Sequence, residues 1–458
     1  MKKTIYILLA AMGFASCDYL EIEPVGKVIP HKTSEFRALL TEGYQSFPFY
    51  NSKTFTGLLS DEIGVFVEGK FYTASDAIAL SYNYTWQYGS QMREYPYQEY
   101  YRTIFYANAV IDGVMDSDAD TDASDSKEQI LGEAYALRAY AHFDLTNLYG
   151  KPYDPETAAT DRTAPLSTTI DIEQIYRPSN VAAIYEQIVE DIENAERLMT
   201  VEKQPDATRN YRFSADALMG FKARVMLYMR NWQAAYDSAK SLLPKYNLVD
   251  FNAAVETNAL PWKATSEEAI LAWERPFSFS SGDLIAACVI SEKILNLIDE
   301  TTDKRRAYLK AVNVYDETWT PTLVGYGVNR ATGDRVSIRI AEMYLIAAEA
   351  GSYLPSELNN AKKYLLDLQK KRLTPEGYAT KKTAVEAMNA EQLRAEVADE
   401  RARELLMEGH RWMDLRRTTR PAITKTHNGS TYTLTENDSR YTLPFPQSAV
   451  NNNPHLND

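Results

Sequence analysis

The stretch SADALMGFKARVMLYMRNWQAAYDSAKSLLP, residues 214–244, constrains the fold more than any other part of the chain. Gly220, Tyr236, Ala239 and Pro244 stand at the spacings of a tetratricopeptide repeat, and Asn231 falls where the turn between two helices belongs. Small residues let paired helices approach closely, so the segment predicts a helix–turn–helix unit that buries its apolar side by stacking on neighbours. A comparable pair is predicted in VSIRIAEMYLIAAEAGSYLPSELNNAKKYLLDLQKKR, residues 336–372, and another across Ser126 to Met199. In the latter, Ile130, Ala134, Leu137, Ala141 and Leu145 make one stripe at spacings of three and four. Ser126 and Gln129 have the spacing of a capping box, and Gly150 ends the helix. A further helix is expected near Tyr97 to Met115.

Residues 48–95 and 245–333 have a different character. They are rich in Gly, Asn, Ser, Thr and aromatics and lack sustained periodicity. Loops this long in a compact protein are functional or disordered, and aromatic content argues against disorder. The expected fold is therefore mostly α: a tetratricopeptide-like scaffold of helical pairs, with long, irregular, aromatic-rich loops and little β structure. A chain of 458 residues is long enough to bury a large core.

The N-terminus reads MKKTIYILLAAMGFASC: two lysines, an apolar run from Ile5 to Phe14, then Ala15, Ser16 and a cysteine. A run of that length is too short to span a bilayer and reads as a signal peptide over residues 1–16. Phe14 to Cys17 resemble a bacterial lipobox, with Phe14 where such boxes usually carry Leu, so Cys17 is the expected lipidation site and residues 17–458 the mature body. The alternative is a plain secretory peptide cut near Ala15. Several acyl chains would make anchoring effectively permanent. With Cys17 acylated, Cys288 is left without a partner thiol, and in LIAACVIS it reads as a small buried hydrophobe. No other stretch is a candidate transmembrane segment. A net charge of −14 argues against a nucleic-acid binder and leaves no basic face for anionic lipid.

The ten residues EGHRWMDLRR, Glu408 to Arg417, look like an active site compressed into a short helix. A structural reading accounts for them better. On one helix Glu408 and Arg411, and likewise Asp414 and Arg417, are three apart and would form ion pairs, while Leu405, Trp412 and Leu415 supply apolar contacts. The five histidines include no zinc-helix pair, and the chain has no closely spaced cysteines, no GxxxxGK followed by Ser or Thr and no GxSxG. The neighbours Asp61 and Glu62 read as solvated surface acids rather than a glycosidase pair. No catalytic residue, metal site or cofactor is expected.

A binding role fits the residues better. In SYNYTWQYGSQMREY, alternation would put Tyr82, Tyr84, Trp86 and Tyr88 on one face of an extended strand, as a ring platform beside Asn83 and Gln87. That face could equally pack inward.

The cysteine followed by DYLEIEP, the helices YRTIFYANAVID, LGEAYALRAYAHFDLTNLYGKPYD, IRIAEMYLIAAEA and ERARELLMEGHRWMDLRR, and the tail YTLPFPQSAVNNNPHL, in that order, resemble the SusD/RagB family of outer-membrane lipoproteins. The resemblance implies a single mature body that faces the cell exterior from a lipid anchor in the outer membrane. It implies that the body captures oligosaccharides, or oligopeptides as in the RagB branch, for a SusC-type TonB-dependent transporter, without enzymatic activity. It also implies ligand contacts from the N-terminal loop region and from later loops, where Trp273, Arg275, Trp319, Tyr326 and Arg330 lie. The rival reading is a tetratricopeptide-type interaction scaffold whose helical groove binds a peptide.

Overall fold

The Asn231 side-chain carbonyl accepts a hydrogen bond from Ala234 N at 3.3 Å, so that one helix, Ala215–Tyr228, gives way to the next, Trp232–Leu242, across a short turn. A computed structural model describes residues 30–458 apart from 51, 66–74, 121–124, 172, 278–287, 316, 317, 319, 329, 331 and 332. The expected signal peptide and Cys17 lie outside the described residues.

In chain order the first half contains α1 (Thr33–Ser46), α2 (Ser52–Leu59), β1 (Ile63–Val65), α3 (Ser75–Tyr84), α4 (Tyr97–Gly113), α5 (Lys127–Tyr149), β2 (Arg162–Thr163), β3 (Ser179–Asn180), α6 (Val181–Leu198), α7 (Ala215–Tyr228) and α8 (Trp232–Leu242). Then follow β4 (Ala269–Leu271), β5 (Cys288–Ile290), α9 (Glu292–Leu295), β6 (Leu309–Tyr315), β7 (Pro321–Val328), β8 (Ile338–Arg339), α10 (Ile340–Gly351), α11 (Leu358–Lys370), α12 (Pro375–Ala387), α13 (Ala390–Glu404), α14 (Arg411–Arg417), β9 (Ile423–His427), β10 (Ser430–Leu434) and α15 (Gln447–Asn452). The fold is mostly α, and its β structure is confined to short two-stranded antiparallel sheets.

The three expected pairs are α5 with α6, α7 with α8, and α10 with α11. A fourth, α1 with α4, escapes the sequence pattern because α2 and α3 intervene. The pairs stack in order, α4 on α5, α6 on α7 and α8 on α10. Gly220 shows why small residues are needed at the joints: a Cβ there would lie 2.8 Å from Ile338 Cγ2. The α5 stripe from Ile130 to Leu145 is buried throughout. Ser126 Oγ caps α5 by accepting from Gln129 N at 3.2 Å, but the capping box does not close. The Gln129 side-chain oxygen instead accepts from Thr200 N and Val201 N at 2.9 and 3.0 Å, tying α5 to the chain leaving α6.

The joints also carry buried charge. Arg37 on α1 meets Glu133 on α5 through two bonds of 2.9 Å, Arg138 on α5 meets Asp191 on α6 at 2.9 and 2.5 Å, and Arg224 on α7 meets Glu342 on α10 at 2.8 Å twice. Each is a bidentate fork, the strongest geometry an arginine can offer a carboxylate.

The two loop-rich segments are more ordered than their composition suggests. Strand β1 pairs with β5, and β6 with β7 as a hairpin packed on β5, which sets residues from 63–65 beside residues from 288–328. Cys288 is buried in β5, and burial pushes its thiol up to about 12.

Candidate functional site

Residues 75–84 form a helix, so the alternation of SYNYTWQY does not become a strand and the expected ring platform does not form. Tyr82 is half-buried on α3 and Tyr84 is buried at its end. Trp86, in the left-handed region at φ 55°, is 1% exposed and donates Nε1–H to Leu59 O at 3.0 Å. The two buried rings serve Lys425, whose Nζ lies 4.2 Å from the Tyr84 centroid and 4.3 Å from that of Trp86 while donating to Leu58 O at 2.7 Å and Tyr84 O at 3.2 Å. A buried ammonium is costly unless its hydration is replaced, and two ring faces and two carbonyls replace it here. Burial nevertheless pushes the Lys425 pKa well below its ordinary value.

The other expected rings are scattered. Tyr88 is half-buried, its hydroxyl donating to Arg440 O at 2.9 Å. Trp273 is buried against Phe47 and Tyr44, with centroids 4.2 and 5.3 Å away, and donates to Tyr44 O at 3.2 Å. Tyr326 is half-buried on β7 under the Arg306 guanidinium, 4.9 Å from its centroid. Trp319 lies outside the described residues. Burial thus removes Tyr84, Trp86 and Trp273 as exposed stacking surfaces, because each ring is enclosed by its own fold.

The stretch from Glu408 to Arg417 is a structural clasp whose pairing differs from expectation. Gly409, at φ 83°, breaks the chain between Glu408 and α14, and a Cβ there would meet Lys53 Cγ at 2.7 Å. Glu408 therefore does not share a helix face with Arg411. It accepts from Arg330 at 2.9 Å and from Arg339 at 3.0 and 3.2 Å, whereas Arg411 turns to Asp61 at 2.6 and 2.9 Å. The Asp414–Arg417 pair forms at 2.9 Å as expected, and Arg417 reaches on to Glu349 of α10 at 2.6 and 2.8 Å.

Asp61 and Glu62 are buried rather than solvated, because they plug this clasp. Burial opposes ionisation of Asp61, but its bonds and charge contacts with Arg411 and Lys293 outweigh it and bring the carboxyl down to about 2. Among the described residues the Glu62 carboxylate accepts from Met407 N alone, at 2.9 Å, and burial pushes it up to about 7. His410 is kept neutral, its pKa lowered well below the ordinary value first by burial and then by the nearby Arg224, Lys53, Arg401 and Arg339 charges. These side chains hold elements together. Among the described residues no group of three or more His, Cys, Asp or Glu is placed to hold a metal ion.

Open surface suited to a ligand lies elsewhere. Two clefts flank the C-terminal tail. One, of about 900 Å³, runs between residues 149–163 and 437–445 and is lined by Lys151, Asp161, Arg420 and Asp438. The other, of about 870 Å³, runs between residues 90–101 and α15, with Tyr97, Tyr101 and Tyr176 in its wall. The sequence reading missed these three tyrosines. The signal for Tyr97 and Tyr101 was the tyrosine-rich run EYPYQEYY at the start of α4, which reads equally as a core-facing helix start, and nothing in the sequence pointed to Tyr176.

A family model described as "Starch-binding associating with outer membrane" matches residues 18–227, and a second, described as "SusD family", matches residues 296–458. The fold is similar to that of a SusD superfamily protein from Bacteroides thetaiotaomicron, with a TM-score of 0.76 and 21% identity over 93% of this chain and 99% of that one. It is similar also to a SusD-like carbohydrate binding protein from Bacteroides vulgatus, with a TM-score of 0.64 and 18% identity over 93% and 97% of the two chains. A SusD-like protein of Formosa agariphila is 30% identical over 172 residues, which is 36% of this chain and only 28% of that relative's length.

Proposed function

The chain belongs to the SusD/RagB family, and on that premise we propose that it is a cell-surface lipoprotein that captures oligosaccharides and passes them to a SusC-type TonB-dependent transporter in the outer membrane. The observation that carries this reading is the pair of family matches, one to each half of the chain, the first described by starch binding and outer-membrane association. The fold supports it: charged groups of the sort that catalyse are locked in clasps, while open clefts with ring walls remain at the surface. In this reading residues 1–16 are removed and Cys17 carries the lipid, so the body from 17 to 458 stays at the membrane where a transporter can receive its ligand. No helix among the described residues is long and apolar enough to cross a membrane, so anchoring is assigned to the acyl chains.

The experiment is calorimetric titration of the full chain against neutral oligosaccharides and against peptides, combined with affinity capture from gently solubilised outer membranes. Binding of a glycan and co-capture of a large barrel protein are expected. Binding of peptides alone would refute the oligosaccharide assignment, and recovery as a lone monomer under several mild detergents would refute the transporter partnership. Replacing Cys17 by Ser should release the chain from the membrane fraction. Its retention there would refute the anchor.

A further inference from the structure

We propose that the cleft between Ser90–Tyr101 and α15 is the binding site for a neutral oligosaccharide, an assignment that rests on the function proposed above and gives it a location. The cleft, at about 870 Å³, is of the size that takes an oligomeric ligand. Its three half-buried rings come from separate parts of the chain and are already fixed. Tyr101 donates its hydroxyl to Pro165 O at 2.8 Å, the Tyr176 hydroxyl meets Ser167 Oγ at 3.1 Å, and the Tyr97 ring is wedged 4.9 Å from Tyr101 and 5.3 Å from Tyr149. Rings already fixed in this way lose little rotamer freedom when a ligand packs against them.

Polar groups complete the lining. Gln91, Gln98 and Asn452 border the cleft, and their side-chain amides make no hydrogen bond among the described residues. An amide both donates and accepts, as a sugar hydroxyl does, so each can take a hydroxyl in either sense. The walls are tied to one another before any ligand arrives. Glu94 accepts from Ser448 N at 3.0 Å and Ser448 Oγ at 2.5 Å, and Asn453 donates to Tyr176 O at 2.7 Å, fixing the tail on both sides. The charged side chains of the lining are of both signs, Arg93 beside Glu94 and Glu99, which suits an uncharged ligand better than a uronate or a peptide with charged ends. The neighbouring cleft fits such a ligand less well. Its Tyr149 and Tyr441 are buried, and its Asp161 and Asp438 are taken by Lys151 and Arg440.

The test uses the full chain, hexasaccharides of α-glucan, β-glucan, mannan, xylan and fructan as probes, and two variants, Gln98→Ala combined with Asn452→Ala, and Tyr176→Ala. Unchanged melting curves confirm that both variants fold, and hydrogen exchange with and without the bound probe locates contact independently of any substitution. The expected result is that one probe binds, that each variant weakens it about fivefold to tenfold, and that residues 90–101 and 447–453 gain protection. If a hexasaccharide binds, the variants match wild type and protection maps elsewhere, the cleft assignment is overturned while the proposed function stands. Peptide binding that protects the cleft overturns the ligand class. If no hexasaccharide binds, the proposed function and the cleft assignment both fail.

Discussion

Trp412→Ala tests whether the stretch from Glu408 to Arg417 is architecture or site. The indole is 1% exposed and stacks on Tyr441 with centroids 4.8 Å apart and planes 15° apart. It sits on α14 between Arg411, which holds Asp61, and Asp414, which holds Arg401 at 2.7 Å. Truncating a buried tryptophan to alanine costs about 3 to 5 kcal/mol, and the stacked Tyr441 loses its partner, which places this site toward the upper end. An unfolding entropy of about 2.1 cal/mol/K per residue gives a body of roughly 430 residues about 0.9 kcal/mol/K, so the melting temperature should fall by about 3 to 6 °C. Circular-dichroism melts at one fixed scan rate give the comparison, since a chain this large can unfold irreversibly. Affinity for the bound hexasaccharide, measured well below both transitions, should stay at the wild-type value. An unshifted melt with lost binding would refute the structural reading of the stretch.

Three further expectations follow from the buried groups. Glu408→Ala leaves Arg330 and Arg339 short of a shared carboxylate and should cost about 3 to 5 kcal/mol in urea unfolding; a change under 1 kcal/mol would show that the clasp is not holding the fold. Glu62, ordinarily near 4.5 and pushed up to about 7 by burial, keeps its proton in the folded chain where the unfolded chain has lost it. Its contribution to stability is therefore present below about 4.5 and lost as pH rises toward 7, a span worth on the order of 3 kcal/mol. Glu62→Gln should remove that part of the slope, and parallel melts of both chains from pH 5 to 8 that stayed a constant distance apart would contradict it. Trp86→Ala should lower the melting temperature by a similar amount to Trp412→Ala, because it opens the ring box around Lys425; a variant that melts like wild type would show that the ring is dispensable to the fold.

The parts of this fold that were legible in the sequence are those whose cause is local. Gly220, Asn231 and the stripe from Ile130 to Leu145 specify helices and turns through neighbours three or four positions away, and the structure places them as that spacing requires. The side-chain partners were not legible for the converse reason. Glu408 finds Arg330 and Arg339 across 78 and 69 residues, and Arg411 finds Asp61 across 350, so a spacing of three on paper carried no information once Gly409 turned the chain. Trp86 failed in the same way: its alternation with Tyr82, Tyr84 and Tyr88 pointed to an extended strand, whereas residues 75–84 are helical and the ring lies beside Lys425, which no local pattern could bring there.

The charged joints explain why such distant partners are tolerable to the fold. In a stacked array of helical pairs each apolar joint resembles the next, so apolar burial alone allows pairs to dock out of register, and the long insertions between α1 and α4, α5 and α6, and α8 and α10 increase that freedom. Buried arginine–carboxylate forks contribute little net stability, because desolvation offsets most of their attraction, but a mismatched fork leaves a buried charge unpaired and is strongly penalised. Arg37–Glu133 fixes α1 against α5, Arg138–Asp191 fixes α5 against α6, Arg224–Glu342 fixes α7 against α10, and Arg417–Glu349 fixes α14 against α10. Each fork is satisfied in the observed stacking order, and a slipped pair would leave its buried charge unpaired. That leaves the insertions, including the 90–96 segment that leads into α4 and walls the proposed cleft, held at both ends by a scaffold whose register is set without them.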